Sequence, residues 1–167
     1  MICVGIDVAK DKHDCFILSS EGEVLADVFT IPNSMEGFQL LLEKILNCVS
    51  PQDSIKVGLE ATGHYSYKLL GFLLDSGLPT YVLNPLHTNL YRKNLSLGKT
   101  KTDKVDARSI AAMLLSDLGL KPYTDIAYHN EELKSLTRYR FDKVREREKA
   151  RAGGQHSGTP ALASDGL

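Results

Sequence analysis

Two carboxylates three residues apart, Asp103 and Asp106, lie in the basic stretch 99–108. On a helix, residues at this spacing share one face. An ordinary helix start explains part of the pattern, because Thr102 or Asp103 is a good N-cap and acids suit the positive end of a helix. The alternative is a metal-binding acidic pair that meets phosphate, and carboxylates from elsewhere in the chain would favour it.

Such carboxylates follow two apolar runs that are typical of strands. Asp7 ends the run 2–6, and Glu60 ends the run 54–59. Ligands gather at the carboxyl ends of strands in such sheets, so the four acids converge if the two strands are neighbours. Close carboxylates repel one another unless a cation neutralises them. Because the donors are hard oxygens, we expect two Mg²⁺ or Mn²⁺ ions that activate a water or hydroxyl and stabilise the leaving oxygen of a phosphodiester.

A patch of basic residues surrounds these acids. Between Arg92 and Arg108 the chain has six Lys or Arg against two Asp, although the net charge of the whole chain is −1. A local patch on a near-neutral protein predicts a docking site for a nucleic-acid backbone. The predicted nucleic-acid contacts are Lys10, Arg92, Lys93, Lys99, Lys101, Lys104 and Arg108.

Composition sets the wider limits. A chain of 167 residues with 25% charged and 43% hydrophobic residues is typical of one globular domain with a sizeable core. The three cysteines are far apart and form no CxxC pair, which predicts reduced thiols in a cytosolic protein. The five histidines form no helical metal pair, so a zinc site is not expected. Because no secretory signal or membrane-spanning stretch is present, we expect a cytoplasmic protein.

The order of elements predicts an α/β fold. Three strands joined by short turns, with Gly22 in the second turn, give an antiparallel meander. Two further strands alternate with helices, which predicts a mixed sheet with helices on its faces. The predicted strands are 2–6, 13–18, 24–31, 54–59 and 80–83. The predicted helices are 34–47, 63–76, 86–93 and 103–115. The expected buried stripe of the first helix is Phe38, Leu41, Leu42, Ile45 and Leu46.

The pattern changes after about residue 120. Residues 119–128 predict a turn-rich connection, and 131–151 predict a highly charged helix with a thin apolar line. Such a helix is either solvated or a coiled-coil arm. The stretch 152–167 is rich in Gly, Ser and Ala without periodicity, which predicts disorder. We therefore divide the chain into a catalytic domain over 1–120, a linker and arm over 121–151, and an aberrant tail over 152–167.

Two other motifs lead to different classes of protein. Gly98-Lys99-Thr100 resembles the end of a phosphate-binding P-loop, but that motif needs a glycine at position 93, which is Lys93, and a preceding strand. Gly5-Ile6-Asp7 followed by a hairpin resembles the phosphate-binding start of actin-like sugar kinases and chaperone ATPases. Those proteins need two such domains and a far longer chain, so we do not favour this class.

Several motifs follow one another in a fixed order, namely Gly5-Ile6-Asp7-Val8-Ala9-Lys10, Gly58-Leu59-Glu60-Ala61-Thr62-Gly63, Asn84-Pro85 and 99–107 (KTKTDKVDA). With the arm segment 136–140, they resemble the N-terminal domain of the IS110-family transposases, the DEDD transposases of bacterial insertion sequences. The resemblance implies an RNase H-like (RuvC-like) fold, Mg²⁺ dependence and DNA recombination. It places the DEDD tetrad on Asp7, Glu60, Asp103 and Asp106. It also implies a structured guide RNA from the element, and homo-oligomers through the arm.

The chain departs from the family at its C-terminal end. Family members continue into a second domain that contributes a serine nucleophile, whereas Ser157 and Ser164 of this chain match nothing catalytic. This predicts an incomplete copy, truncated or frame-shifted near Arg151, with little or no autonomous recombination. Two alternatives remain open: a stand-alone structure-specific nuclease that uses water as nucleophile, and a catalytically inactive remnant that binds nucleic acid.

Overall fold

A five-stranded sheet with helices on both faces forms the body of the protein. The structure, a computed structural model, describes residues 1–60, 63–95, 103–116 and 119–153. The strands are β1 Ile2–Val8, β2 Lys12–Ser19, β3 Val24–Pro32, β4 Ile55–Glu60 and β5 Thr80–Leu83. The helices are α1 Met35–Cys48, α2 Tyr67–Asp75 after a 3-10 turn, α3 Pro85–Leu95, α4 Asp103–Leu115 and α5 Asp125–Gly153. One compact unit covers Met1–Tyr128, and a second begins at His129.

The strand order is β3-β2-β1-β4-β5. The first three strands pair antiparallel, while β4 pairs parallel with β1 and β5 pairs parallel with β4. Gly22, with φ +84°, makes the hairpin turn between β2 and β3, as predicted. The mixed sheet with a three-strand antiparallel meander is therefore confirmed, and β1 and β4 are neighbours.

The central strand β1 is buried along nearly its whole length, whereas the edge strand β3 is mostly exposed or half-buried. Ile2, Val4 and Ile6 of β1 lie in a core with Phe38 and Leu41 of α1, and the same core takes in buried leucines of α2. Ser34 accepts a hydrogen bond from the Gly37 N–H and so caps α1. This side of the sheet is therefore closed by α1 and α2, which pack on it through their apolar faces.

Helix α4 covers the opposite side of the sheet, where it packs against two strand glycines, Gly5 of β1 and Gly58 of β4. A Cβ atom at Gly5 would clash with the backbone of α4, at the Ala107 carbonyl and 2.6 Å from the Ala111 nitrogen. A Cβ at Gly58 would lie 2.8 Å from Leu114 Cδ1. The absence of side chains at neighbouring positions of β1 and β4 lets the helix backbone approach the sheet closely. The chain 103–116 is thereby fixed across the centre of the sheet.

Some details of the sequence prediction were wrong. Leu46 was expected in the buried stripe of α1, but it is 57% exposed, because the stripe is narrower and its buried members are Phe38, Leu41 and Ile45. Helix α3 is longer than predicted at both ends. Helix α5 begins at Asp125, inside the stretch expected to be a turn-rich connection. The end residues of both helices follow no apolar period, which is the signal from which helix ends are predicted.

The second unit is described by the part of α5 that begins at His129. Its aromatic side chains Tyr139 and Phe141 are each 64% exposed, and Lys143 pairs with Glu146 one turn later at 2.8 Å. Exposed pairs at this spacing stabilise a helix only slightly. The predicted disordered tail lies outside the described residues from 154 onward, and the domain boundary drawn at residue 120 stays a prediction.

Candidate functional site

A row of polar residues crosses the sheet on the side covered by α4. In the strand register Asp14 of β2 pairs with Asp7 of β1 on one side and with Thr30 of β3 on the other. On β4, Leu59 pairs with Ile6, so Glu60 stands beside Asp7 one residue further along. Three carboxylates on adjacent strands thus line up at one level of the sheet. Side chains at such paired positions share a face and lie within interaction distance.

The contacts of the residues two positions away on each strand show on which face of the sheet the carboxylates lie. Phe16 packs with Ala107 and Ala111 of α4, and its strand partner Gly5 meets the same two helix residues. Side chains two residues apart on a strand point to the same face. The carboxylates of Asp7, Asp14 and Glu60 therefore belong to the α4 side of the sheet.

Glu60 carries the most informative single feature of the site. Its side chain is 8% exposed, and its Oε1 atom is buried without a hydrogen-bond partner in the part of the chain that the structure describes. An unpaired carboxylate oxygen away from water costs free energy that a bound cation can offset. The observation fits a site for a cation at this oxygen.

The turn that follows Asp7 is held by side chains from β2 and from the segment between β3 and α1. The Ala9 N–H donates to His13 Nδ1 at 3.3 Å, and the Asn33 side chain donates to the Lys10 carbonyl at 2.8 Å. The Asn33 N–H donates to the Asp11 carbonyl at 2.9 Å. These bonds fix the backbone that carries Lys10 immediately beyond the carboxylate row.

The contacts of α4 give its direction over the sheet. Leu114 clusters with Cys3, whereas Ala107 meets Gly5, so α4 runs antiparallel to β1. A strand advances about 3.3 Å per residue and a helix about 1.5 Å, so two residues of β1 correspond to roughly four residues of α4. The step from Gly5 to Asp7 therefore leads toward the first turn of α4, which contains Asp103 and Asp106.

The structure describes the side chains of two of the four predicted tetrad residues and only the backbone of the other two. Asp7 and Glu60 stand side by side on adjacent strands. Asp103 and Asp106 belong to the first turn of α4, and their side chains lie outside what the structure describes. In the described part of the chain, no group of three His, Cys, Asp or Glu side chains is arranged to hold a metal ion. The described oxygens supply the donor type that Mg²⁺ and Mn²⁺ prefer.

Of the predicted nucleic-acid contacts, only Lys10 and Arg108 have side chains that the structure describes. Lys10 is exposed in the turn after β1. Arg108 is also exposed, but its guanidinium is paired with Asp27 of β3 and lies 5.4 Å from the centre of the Phe16 ring. Arg92, Lys93 and Lys104 are placed on helices by their backbone alone, and Lys99 and Lys101 lie outside the described residues.

Sequence reasoning missed Asp14 and its partner Thr30. The Thr30 hydroxyl donates a hydrogen bond to Asp14 Oδ1, and Asp14 is only 8% exposed. In the sequence Asp14 is a polar residue near the start of a strand, which is common. The register of β1 against β2, set by the length of their turn, was the signal that could have placed it opposite Asp7.

The sheet order and the helices on both faces define an α/β protein with an RNase H-like (RuvC-like) fold. A family profile described as a transposase, the DEDD transposases of IS110 type, matches residues 4–152. The chain belongs to this family. The predicted family and fold are both confirmed.

Relatives and solved structures extend the comparison. The chain is 33% identical over 109 residues to the pilin gene-inverting protein of Moraxella bovis, covering 65% of this chain and 32% of that protein. It therefore spans about a third of the length of this curated relative. Thermus thermophilus RuvC matches 74% of the chain with TM-score 0.49 and 15% identity, covering the whole of that chain. A T. thermophilus RuvC complex with Holliday junction substrate matches 74% of the chain with TM-score 0.47 and 16% identity, covering 99% of that chain.

Among the described residues, none of the helices combines the length and the apolar composition that a membrane span requires.

Proposed function

We propose that this chain carries the metal-dependent site of an insertion-sequence transposase, where phosphodiester bonds of DNA are cut for recombination. Membership of the transposase family supports this reaction class. The relative from Moraxella bovis is named for inverting a gene, which is a DNA rearrangement. The proposal concerns the part of such a protein that this chain represents.

Asp7, Glu60, Asp103 and Asp106 hold Mg²⁺ or Mn²⁺ in this proposal. The observation that carries it is the buried Glu60 Oε1, which has no hydrogen-bond partner among the described residues and stands beside Asp7. Helix α4 runs antiparallel to β1, so its first turn lies toward Asp7. This direction supports the inclusion of Asp103 and Asp106 in the site. When bound, the ions polarise an attacking water or hydroxyl and stabilise the leaving oxygen.

The protein's own residues orient the nucleic acid. In the proposal Lys10 contacts a backbone phosphate next to the carboxylates, and the bonds that His13 and Asn33 make to its turn support this role. The lysines of 99–104 and the cations of α3 add to this surface in the proposal. A structured RNA from the element is the further partner that the family resemblance implies, and the helical arm is the proposed route to homo-oligomers.

The test is a cleavage assay with the purified chain. Labelled branched and duplex DNA are incubated with Mg²⁺, with EDTA, and with the variants Asp7→Asn and Glu60→Gln. Glu43→Gln serves as the matched control, because Glu43 is exposed on α1, which packs on the opposite side of the sheet. We expect cleavage that depends on Mg²⁺ and falls on the order of 100-fold in both site variants, with Glu43→Gln unchanged.

The alternatives give different results in the same assay. Binding of DNA without cleavage by the unaltered chain indicates a nucleic-acid-binding remnant and overturns the catalytic proposal. Cleavage that survives Asp7→Asn places the chemistry elsewhere and overturns it as well. Cleavage restricted to branched DNA, lost in both variants, keeps the site and favours a structure-specific nuclease.

A further inference from the structure

We propose that Asp14 is a positioning residue of the cation site, holding negative charge beside Asp7 and raising the affinity of the site for a divalent cation. The inference rests on the proposed function, since Asp7 is a ligand there. It adds a fifth acid that the four-residue tetrad does not contain.

The first observation is the strand register. Asp14 is the direct Cα partner of Asp7 on the antiparallel neighbour β2. Both residues share the α4 face, because Phe16 and Gly5, two residues away on each strand, meet α4 there. Like charges directly opposite each other on a sheet repel, and a cation bound at Asp7 would be attracted by both carboxylates.

The second observation is how Asp14 is held. Its side chain is 8% exposed, and a neutral hydroxyl from Thr30 of β3 donates to its Oδ1 atom. This bond fixes the orientation of the carboxylate without neutralising its charge. A buried, oriented and negatively charged group beside Asp7 is suited to attracting a cation into the same row.

The third observation points to the ligand independently of the acidic cluster itself. Glu60, on the other side of Asp7 in the same row, is more than nine-tenths buried and has an Oε1 atom without a described hydrogen-bond partner. Asp14 and Glu60 thus flank Asp7 on the α4 face of the sheet. A divalent cation held at Asp7 lies within the range at which the Asp14 charge attracts it.

A purely structural role makes a different prediction. If Asp14 served only to tie β2 to the edge strand β3 through Thr30, its replacement would loosen the sheet and leave cation binding unchanged. If it serves the cation site, Asp14→Asn removes repulsion in the metal-free protein and weakens cation binding. The structural role therefore predicts a loss of metal-free stability in Asp14→Asn, and the role in the cation site predicts none.

The experiment titrates the full chain with Mn²⁺ and follows the electron paramagnetic resonance signal of free Mn²⁺, which is lost on binding. Asp14→Asn, Asp7→Asn and the control Asp75→Asn are compared, Asp75 being exposed at the end of α2. Thermal unfolding in EDTA is measured for each. We expect the Mn²⁺ dissociation constant to rise about five- to tenfold in Asp14→Asn, with an unchanged or higher melting temperature. Asp75→Asn keeps the original affinity.

An unchanged dissociation constant in Asp14→Asn overturns the proposal. So does a higher constant accompanied by a lower metal-free melting temperature, which is the result of a lost structural tie. Asp7→Asn separates this inference from the proposed function. If Asp7→Asn abolishes Mn²⁺ binding while Asp14→Asn does not affect it, only the role of Asp14 is wrong; if Asp7→Asn has no effect, the proposed cation site itself is wrong.

Discussion

At the scale of single residues, the buried polar groups around Asp7 lie on opposite faces of the sheet. The carboxylates of Asp14 and Glu60 lie on the α4 side of the sheet, while His13, one residue before Asp14, points to the α1 side and is fully buried against Phe38. Alternation along β2 therefore places a titratable base directly behind the proposed site. His13 Nδ1 accepts a hydrogen bond from the Ala9 N–H, so protonation of this nitrogen removes a bond that holds the turn carrying Lys10.

His13 predicts a pH dependence of stability. Burial lowers the pKa of His13 below the ordinary value of 6.5, and the nearby Asn33 side chain and Asp14 charge offset only part of this effect. The folded state then binds fewer protons than the unfolded state, so the free energy of unfolding falls as the pH drops below 6.5. Between pH 7.5 and 5.5 we therefore expect this group to lower the free energy of unfolding, measured by urea unfolding in EDTA.

Two variants show whether His13 is responsible. His13→Asn keeps an acceptor for the Ala9 N–H without a titrating ring, and we expect it to flatten the pH dependence. His87→Asn, at an exposed position of α3, should keep the original slope. Equal slopes in His13→Asn and the unaltered chain would show that another group causes the loss.

At the scale of elements, the close approach of α4 to β1 and β4 is what places the helix beside the carboxylates. The two glycines beneath it differ in what they face. Gly5 faces the backbone of α4 at Ala107 and Ala111, whereas Gly58 faces the side chains of Leu114 and Ile110. Backbone atoms cannot move aside without shifting the whole helix, but the ends of side chains can adopt other rotamers.

This difference predicts unequal costs for the same substitution. Gly5→Ala should lower the free energy of unfolding by about 3 kcal/mol or more, and Gly58→Ala by about 1 kcal/mol. Because α4 would shift in the first case only, Gly5→Ala should also weaken Mn²⁺ binding more than Gly58→Ala does. Urea unfolding and the Mn²⁺ titration give both values. Similar costs for the two variants would contradict the close backbone contact at Gly5.

The same elements show what the sequence can and cannot predict. β1 and β4 were predictable because each is a short apolar run that ends at an acid, and the positions of Asp7 and Glu60 follow from that. The pairing of Asp14 with Asp7 depends on strand register, which follows from the length of the turn between β1 and β2 and not from the apolar pattern. The start of α5 at Asp125 was missed because its first residues have no apolar period, whereas α4 was predicted from Ile110, Met113 and Leu114.

At the scale of the whole molecule, the described apolar clusters extend from the first residue to Tyr123, just before α5 begins. All four apolar clusters found in the described chain consist of residues between Met1 and Tyr123. The last of them, Leu120 and Tyr123, belong to the short segment after α4. The Tyr123 N–H donates to the Thr80 carbonyl at 2.6 Å, on the edge strand β5. This segment therefore covers an edge that would otherwise be open.

The division of the chain at Tyr128 predicts how shortened forms behave. Residues 1–128 contain the whole described core and the cover of β5, so this fragment should unfold cooperatively with a melting temperature within about 3 °C of the full chain. Residues 1–116 lose the apolar contacts of Leu120 and Tyr123 and the bond to Thr80. These are worth about 2 kcal/mol, which corresponds to a melting temperature lower by about 5 °C or more. Calorimetry of both fragments measures the difference. If 1–128 is as unstable as 1–116, stability depends on residues beyond Tyr128 and the core does not end where its packing indicates.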